Sequence, residues 1–148
     1  MLEFKILGIP TSKQSARFYA TQIKGKTTVR SYQKASVKQA QQNIREDVLS
    51  QLPEGHVPYD EPLEVIVTFV FPIPASLKKS EKKFIEEGGI VYKPTKPDIV
   101  DNLMKGLFDA MNGIVFIDDS RICKAQTRKI YGPIPQTLVK ISPATPNF

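Results

Sequence analysis

The chain has 148 residues, 41% hydrophobic and 24% charged, which fits one globular domain over residues 1–148 and argues against a disordered tail. It has no apolar run of about 18 residues to span a membrane, and Met1-Leu2-Glu3-Phe4-Lys5 lacks the layout of a secretory leader. One cysteine (Cys123) and one histidine (His56) leave no disulfide framework or zinc finger and argue against a Ser-His-Asp hydrolase, so a soluble, cytoplasmic domain is expected.

The net charge of +6 is unevenly placed. Residues 1–50 hold nine Lys/Arg against three Asp/Glu, and residues 51–148 hold twelve of each. A basic third suits a polyanionic partner such as nucleic acid; it reads equally well as a solvated face with no partner.

In chain order, Glu3 to Ile9 alternates as a strand with Phe4 and Ile6 on one face. Pro10 to Ser15 is a polar loop carrying Lys13. Arg17 to Ile23 and Thr27 to Tyr32 form two short strands around the turn Lys24-Gly25-Lys26, a hairpin with Arg17, Lys24, Lys26 and Arg30 along it. Lys34 to Leu52 reads as a helix whose Val37, Ala40, Ile44 and Val48 share a face, with Lys34, Lys38 and Arg45 on a neighbouring strip. These basic residues form a candidate phosphate-tracking surface; singly, each also reads as ordinary solvent-facing charge.

Leu63 to Phe71 is the clearest strand, with Val65, Val67, Phe69 and Phe71 on one side. Ser76 to Glu87 is a short charged helix closed by Gly88-Gly89, and Ile90 to Lys93 a short extended piece. Asn102 to Met111 is a second main helix with Leu103, Leu107, Ala110 and Met111 inward, stopped at Asn112-Gly113. Arg121 to Tyr131 and Thr137 to Ile141 are the last strands. Strands and helices mix without regular alternation, so the expected fold is α+β: a small single domain with a mixed sheet and two main helices.

The informative stretch is Lys96-Pro97-Asp98-Ile99-Val100-Asp101-Asn102-Leu103-Met104-Lys105, followed by Asp109 and then Asp118-Asp119. Asp101, Lys105 and Asp109 fall on one helical row opposite the apolar one. The run Ile114 to Ile117 can carry the chain back along the helix and return Asp118-Asp119 near its start. If Asp98, Asp101 and Asp119 converge, carboxylates about 4 Å apart repel by roughly 1 kcal/mol in water and about 4 kcal/mol when partly buried. Such a group needs a cation, and all-oxygen ligands suit Mg²⁺ or Mn²⁺. A hard ion beside a basic surface is the apparatus of phosphodiester hydrolysis, with a lysine such as Lys105 steadying developing charge. The plainer reading makes Asp98 and Asp101 helix caps, Lys105 and Asp109 a surface pair, and Asp118-Asp119 a turn.

At these residues the sequence resembles the RusA family of endodeoxyribonucleases, the Holliday junction resolvases of bacteria and their phages. The matching pattern is Asp98-Ile-Val-Asp101-Asn102-Leu-Met-Lys105, then Asp109-Ala-Met-Asn112-Gly113, then the apolar run into Asp118-Asp119. Gly8-Ile9-Pro10, Arg17-Phe18 and the basic segment before the long helix also resemble the family.

The resemblance implies a homodimeric α+β fold and a Mg²⁺ site, with Mn²⁺ as a substitute, built from Asp98, Asp101 and Asp119, with Asp118 in reserve and Lys105 as the essential lysine. It implies cleavage of four-way DNA junctions by paired symmetric nicks, in recombination and repair. The rival is a DNA-binding protein of the same fold that no longer cuts. One departure stands out: two residues, Ile99 and Val100, separate the first two aspartates where the family pattern has one, so a bulge or shifted helix start is needed to restore their direction.

Overall fold

A computed structural model describes the backbone of residues 1–11, 17–23, 26–32 and 35–146, with side chains for residues 1–11 and 38–146. The fold is organised on a four-stranded mixed sheet of β1 (Leu2–Leu7), β4 (Leu63–Pro72), β5 (Ile122–Gly132) and β6 (Gln136–Pro143). Its order is β1-β6-β4-β5, with β5 parallel to β4 and the other neighbours antiparallel. A separate antiparallel hairpin is formed by β2 (Arg17–Ile23) and β3 (Lys26–Tyr32), and it pairs Tyr19 with Arg30. The hairpin predicted from sequence is therefore present. Three α-helices lie among the described residues: α1 (Ala35–Gln51), α2 (Lys79–Glu86) and α3 (Lys105–Met111). Of these, α2 is the short charged helix expected over Ser76 to Glu87. No described helix is long and apolar enough to cross a membrane.

Alternation decides which face of the sheet is covered. Leu63, Val65, Val67, Phe69 and Phe71 of β4 point to one side and are buried, as are Leu2, Phe4 and Ile6 of β1 and Val139 and Ile141 of β6. Val48 of α1 and Leu103, Leu107 and Met111 at the second main helix complete that core. On the opposite face Glu3, Lys5, Ile66, Gln126, Arg128 and Lys140 are exposed. With α1 and the second main helix packed on the core side of a mixed sheet, this is an α+β layer arrangement.

The segment ahead of α3 departs from a plain helix. Residues Ile99–Met104 form a π-helical turn in which the Leu103 N–H donates to the carbonyl of Asp98 (3.1 Å) and not, as in an α-turn, to that of Ile99. A π-turn holds one more residue than an α-turn. Inserting a residue into a regular α-helix would rotate everything beyond it by roughly 100°, taking Leu103, Leu107 and Met111 off the core. All three are instead buried. The widened turn thus takes up the extra residue between Asp98 and Asp101 while Leu103, Leu107 and Met111 keep to the core side.

Candidate active site

The π-turn and α3 stand against the inner face of β5, and an open cleft of about 570 Å³ lies there. It is lined by Ile99, Val100, Asp101, Met104, Lys105, Phe108, Asp119, Ala125 and Thr127. Asp101 and Lys105 come from the helical side. Ala125 and Thr127 are alternate residues of β5, opposite Val65 and Val67 of β4, so they share the inner face. Asp119 arrives from a third segment, which makes its position a matter of tertiary packing.

After Met111 the chain turns at Asn112-Gly113, where Gly113 takes φ +81, a left-handed conformation that suits glycine. It then runs back through Val115 and Phe116, both with no exposed surface. Tyr59 pairs with this return run: its N–H donates to the Val115 carbonyl and its carbonyl accepts from Ile117 N–H, both at 3.0 Å. His56 contacts the Val115 carbonyl through Nε2 (3.1 Å) and sits edge-on to the Tyr59 ring. The lone histidine is therefore part of the scaffold. Arg121 adds an ion pair to Asp60 (2.9 Å) and donates to Ser120 Oγ (3.1 Å).

Magnitudes rank these anchors. Burying Val115 and Phe116 stabilises the return run by about 1.5–3 kcal/mol each, whereas a largely exposed ion pair such as Arg121–Asp60 contributes about 0–1 kcal/mol. The apolar run therefore delivers Asp119 to the cleft, and the ion pair trims its orientation.

The two adjacent aspartates of the Asp118-Asp119 pair play different parts. Asp118 precedes the 3-10 turn Asp119–Arg121, and its Oδ2 accepts the Ser120 N–H at 3.0 Å. Hydrogen bonds from the Ser120 side chain and then its backbone hold the Asp118 carboxyl below the usual carboxylate range, with Arg121 adding a smaller pull. Asp118 is thus committed to the turn, and Asp119 faces the cleft.

Asp98 is exposed at the residue before the π-turn, in extended backbone (φ −73, ψ 144), and makes no side-chain capping bond. It is not one of the cleft-lining residues. Of the three aspartates expected from the sequence, Asp101 and Asp119 line the cleft, while Asp98 stands in extended backbone just ahead of the helix that carries Asp101. Among the described residues no three Asp, Glu, His or Cys side chains form a metal-holding group. Asp109 is half-buried and does not line the cleft.

The basic residues divide as follows. Lys13, Lys24 and Lys34 lie outside the described residues, and for Arg17, Lys26 and Arg30 only the backbone, in β2 and β3, is described. Lys38 is exposed on α1. Arg45, expected beside it as a phosphate contact, is half-buried, and its Nη1 donates to the Asn112 carbonyl (3.3 Å) at the end of α3. That position ties α1 to α3 and neutralises the negative end of a helix.

Two further groups carry no signal in the sequence. Thr127 carries a buried Oγ1 with no hydrogen-bond partner among the described residues, and Lys129, next along the same face of β5, donates to the carbonyls of Thr95 and Pro97. Strand alternation alone would have put both on the sheet's inner face, with no hint of their surroundings.

Two carboxylates and an amine facing one cleft, on a small mixed-sheet domain, define a class of site suited to a hard cation and a phosphate ester. The sequence matches the family described as Endodeoxyribonuclease RusA over residues 8–142; the chain belongs to that family, as its acidic segment led one to expect. It is also similar to the uncharacterized protein YqaN of Bacillus subtilis (strain 168), 37% identical over 81 residues. That alignment covers 54% of this chain and 56% of the relative, so the chain spans about half the length of the curated protein it matches.

Proposed function

We propose that this protein is a Mg²⁺-dependent endodeoxyribonuclease that resolves four-way DNA junctions. The observation that carries the reading is the meeting of Asp101, Lys105 and Asp119, from two separate chain segments, on one cleft. Family membership adds DNA as the expected substrate.

The donor set fits the ion. Mg²⁺ is commonly bound by one or two carboxylates, with waters and substrate phosphate oxygens completing its octahedron. Asp101 and Asp119 would supply those two carboxylates, and neither is committed to a turn as Asp118 is. A Mg²⁺ held there supplies Lewis-acid polarisation of the phosphate and a water of lowered pKa.

The chain's own residues do the rest. Lys105, exposed in the same cleft, offsets negative charge that develops on the phosphate as the P–O bond breaks. Asp101 and Asp119 orient the attacking water by accepting its hydrogen bonds. The apolar side chains of Ile99, Val100, Met104 and Phe108 limit water access on one wall and give the sugar or base next to the scissile phosphate a surface to rest on. Lys38 and the basic hairpin would carry phosphate contacts away from the cut, positioning the duplex arms without reading sequence. A two-fold dimer would present two such clefts and make paired, symmetric nicks.

Cleavage of a synthetic four-way junction with Mg²⁺ tests this reading, comparing wild type with Asp101→Asn and Asp119→Asn. The expected result is symmetric nicking by wild type and junction binding without cleavage by both variants. Binding by all three with cleavage by none would make the protein a non-cutting DNA binder and overturn the nuclease reading.

A further inference from the structure

We infer that Lys129 is a positioning residue for the active-site segment: its ammonium group clamps the chain that enters the π-turn, and so fixes the direction of Asp101 toward the cleft. The inference rests on the nuclease reading above for its functional consequence, but its structural content stands separately.

Lys129 sits on the inner face of β5, two residues past Thr127, opposite Phe69 of β4. Its Nζ donates to the Thr95 carbonyl (2.6 Å) and to the Pro97 carbonyl (2.8 Å). Hydrogen bonds from a charged donor are stronger than neutral ones, and these two lie at or below the usual length for such pairs. The bonds cross 34 and 32 residues of sequence, so they tie two segments that nothing local would hold together. The backbone of the same lysine is engaged as well, since its carbonyl accepts the Lys93 N–H at 3.0 Å. Lys93 then donates from its own Nζ to Thr95 Oγ1 (2.9 Å) and lies over the rings of Phe71 and Tyr131.

Residues 91–97 are thus held to the end of β5 by paired backbone bonds and by two lysine side chains. The clamp ends at Pro97, one residue before Asp98. The Asp98 carbonyl in turn accepts the first π-turn bond from Leu103. That turn is the unusual element of the site, because it must absorb an extra residue while keeping Leu103 buried and Asp101 on the cleft. A π-turn is rare and poorly supported by local preference, so its entry point needs an external fix. Lys129 supplies one from the same strand that forms the cleft's opposite wall. Displacing the 95–97 carbonyls would let the turn revert toward α-helical pairing, and Asp101 would then swing away while the core residues stayed in place.

The test uses full-length Lys129→Met and Lys129→Arg, the second retaining a charged donor. Hydrogen exchange reads the clamp without reference to cleavage: amides of residues 98–104 in Lys129→Met should exchange at least tenfold faster than in wild type, with the amides of β4 unchanged. Equal rates in residues 98–104 would overturn the clamp. For the functional consequence, Lys129→Met should lower kcat for junction cleavage at least tenfold and weaken Mn²⁺ binding by calorimetry, with KM for the junction within about twofold. Lys129→Arg should recover most of both losses. Unchanged kcat and Mn²⁺ affinity, or a loss of kcat matched by a loss of the β4 amides' protection, would contradict a positioning role. If Lys129→Met does not fold, Lys129→Gln, which keeps a donor without the charge, is read by the same exchange and kinetic criteria. Failure of wild type to cut any junction would remove the nuclease reading and leave the exchange result to decide the clamp alone.

Discussion

Replacing Thr127 by valine should make the protein more stable. Thr127 is half-buried on β5, and its Oγ1 is shut off from solvent with no hydrogen-bond partner among the described residues. Leaving a buried hydroxyl unsatisfied costs about 1–3 kcal/mol. Valine has nearly the same shape, favours strands, and puts a methyl group where the hydroxyl was, which adds up to about 0.8 kcal/mol for a fully buried group. Thr127 is only partly buried, so we take the lower end and expect a gain of about 1 kcal/mol. For a domain of this size that raises Tm by roughly 2–4 °C. Differential scanning calorimetry and urea titration of both proteins read the change directly, and the urea m-value should stay constant. A Tm that falls, or a urea midpoint that shifts downward, would mean that the hydroxyl is satisfied in solution and would refute the reasoning.

Lys105→Ala should keep the unfolding free energy within about 0.5 kcal/mol of wild type, as befits an exposed position, while junction cleavage falls at least tenfold; turnover equal to wild type would remove Lys105 from the chemistry. Arg121→Gln loses the Asp60 ion pair, which should cost no more than about 1 kcal/mol and leave cleavage within severalfold of wild type; a larger stability loss in chemical denaturation would show that the pair, and not Val115 and Phe116, fixes the turn. Asp118 is held below its ordinary pKa of 3.8, so its contribution is present above that value and is lost as pH falls through the lower folded value. The stability gap between wild type and Asp118→Ala should accordingly shrink from pH 5 to pH 2, and a gap constant across that range would contradict the assignment. Junction affinity should drop about a thousandfold between roughly 50 and 200 mM salt if about six phosphates are contacted; a flat salt response in a binding titration would argue against a backbone-tracking basic surface.

Much of the fold was legible because burial follows period. The alternation of Val65, Val67, Phe69 and Phe71 marked β4, and Leu103, Leu107, Ala110 and Met111 marked the second main helix; all are buried as the pattern required. The return of the chain after Gly113 was legible too, since an apolar run after a helix stop has to fold back onto the core. Hydrogen-bond register was not. Nothing in Asp98-Ile-Val-Asp101 distinguishes an α-turn from a π-turn, because that choice is made by where Leu103 must pack and where residues 95–97 are held. The same limit applies at Asp98, whose extended backbone no spacing rule announces. Arg45 looked like a member of a basic stripe with Lys38, yet its partner, the Asn112 carbonyl, lies 67 residues away. Lys129 was invisible for a related reason: its partners are backbone carbonyls, which have no sequence signature.

The most direct measurement is a crystal of the wild-type protein with Mn²⁺ and a junction whose scissile phosphate resists cleavage, recorded at the manganese absorption edge. An anomalous peak within about 2.0–2.3 Å of a carboxylate oxygen from both Asp101 and Asp119, with a phosphate oxygen in the same shell, is the expected result. A peak bound by one of them alone, or by neither, would contradict the shared site on which the proposed chemistry depends.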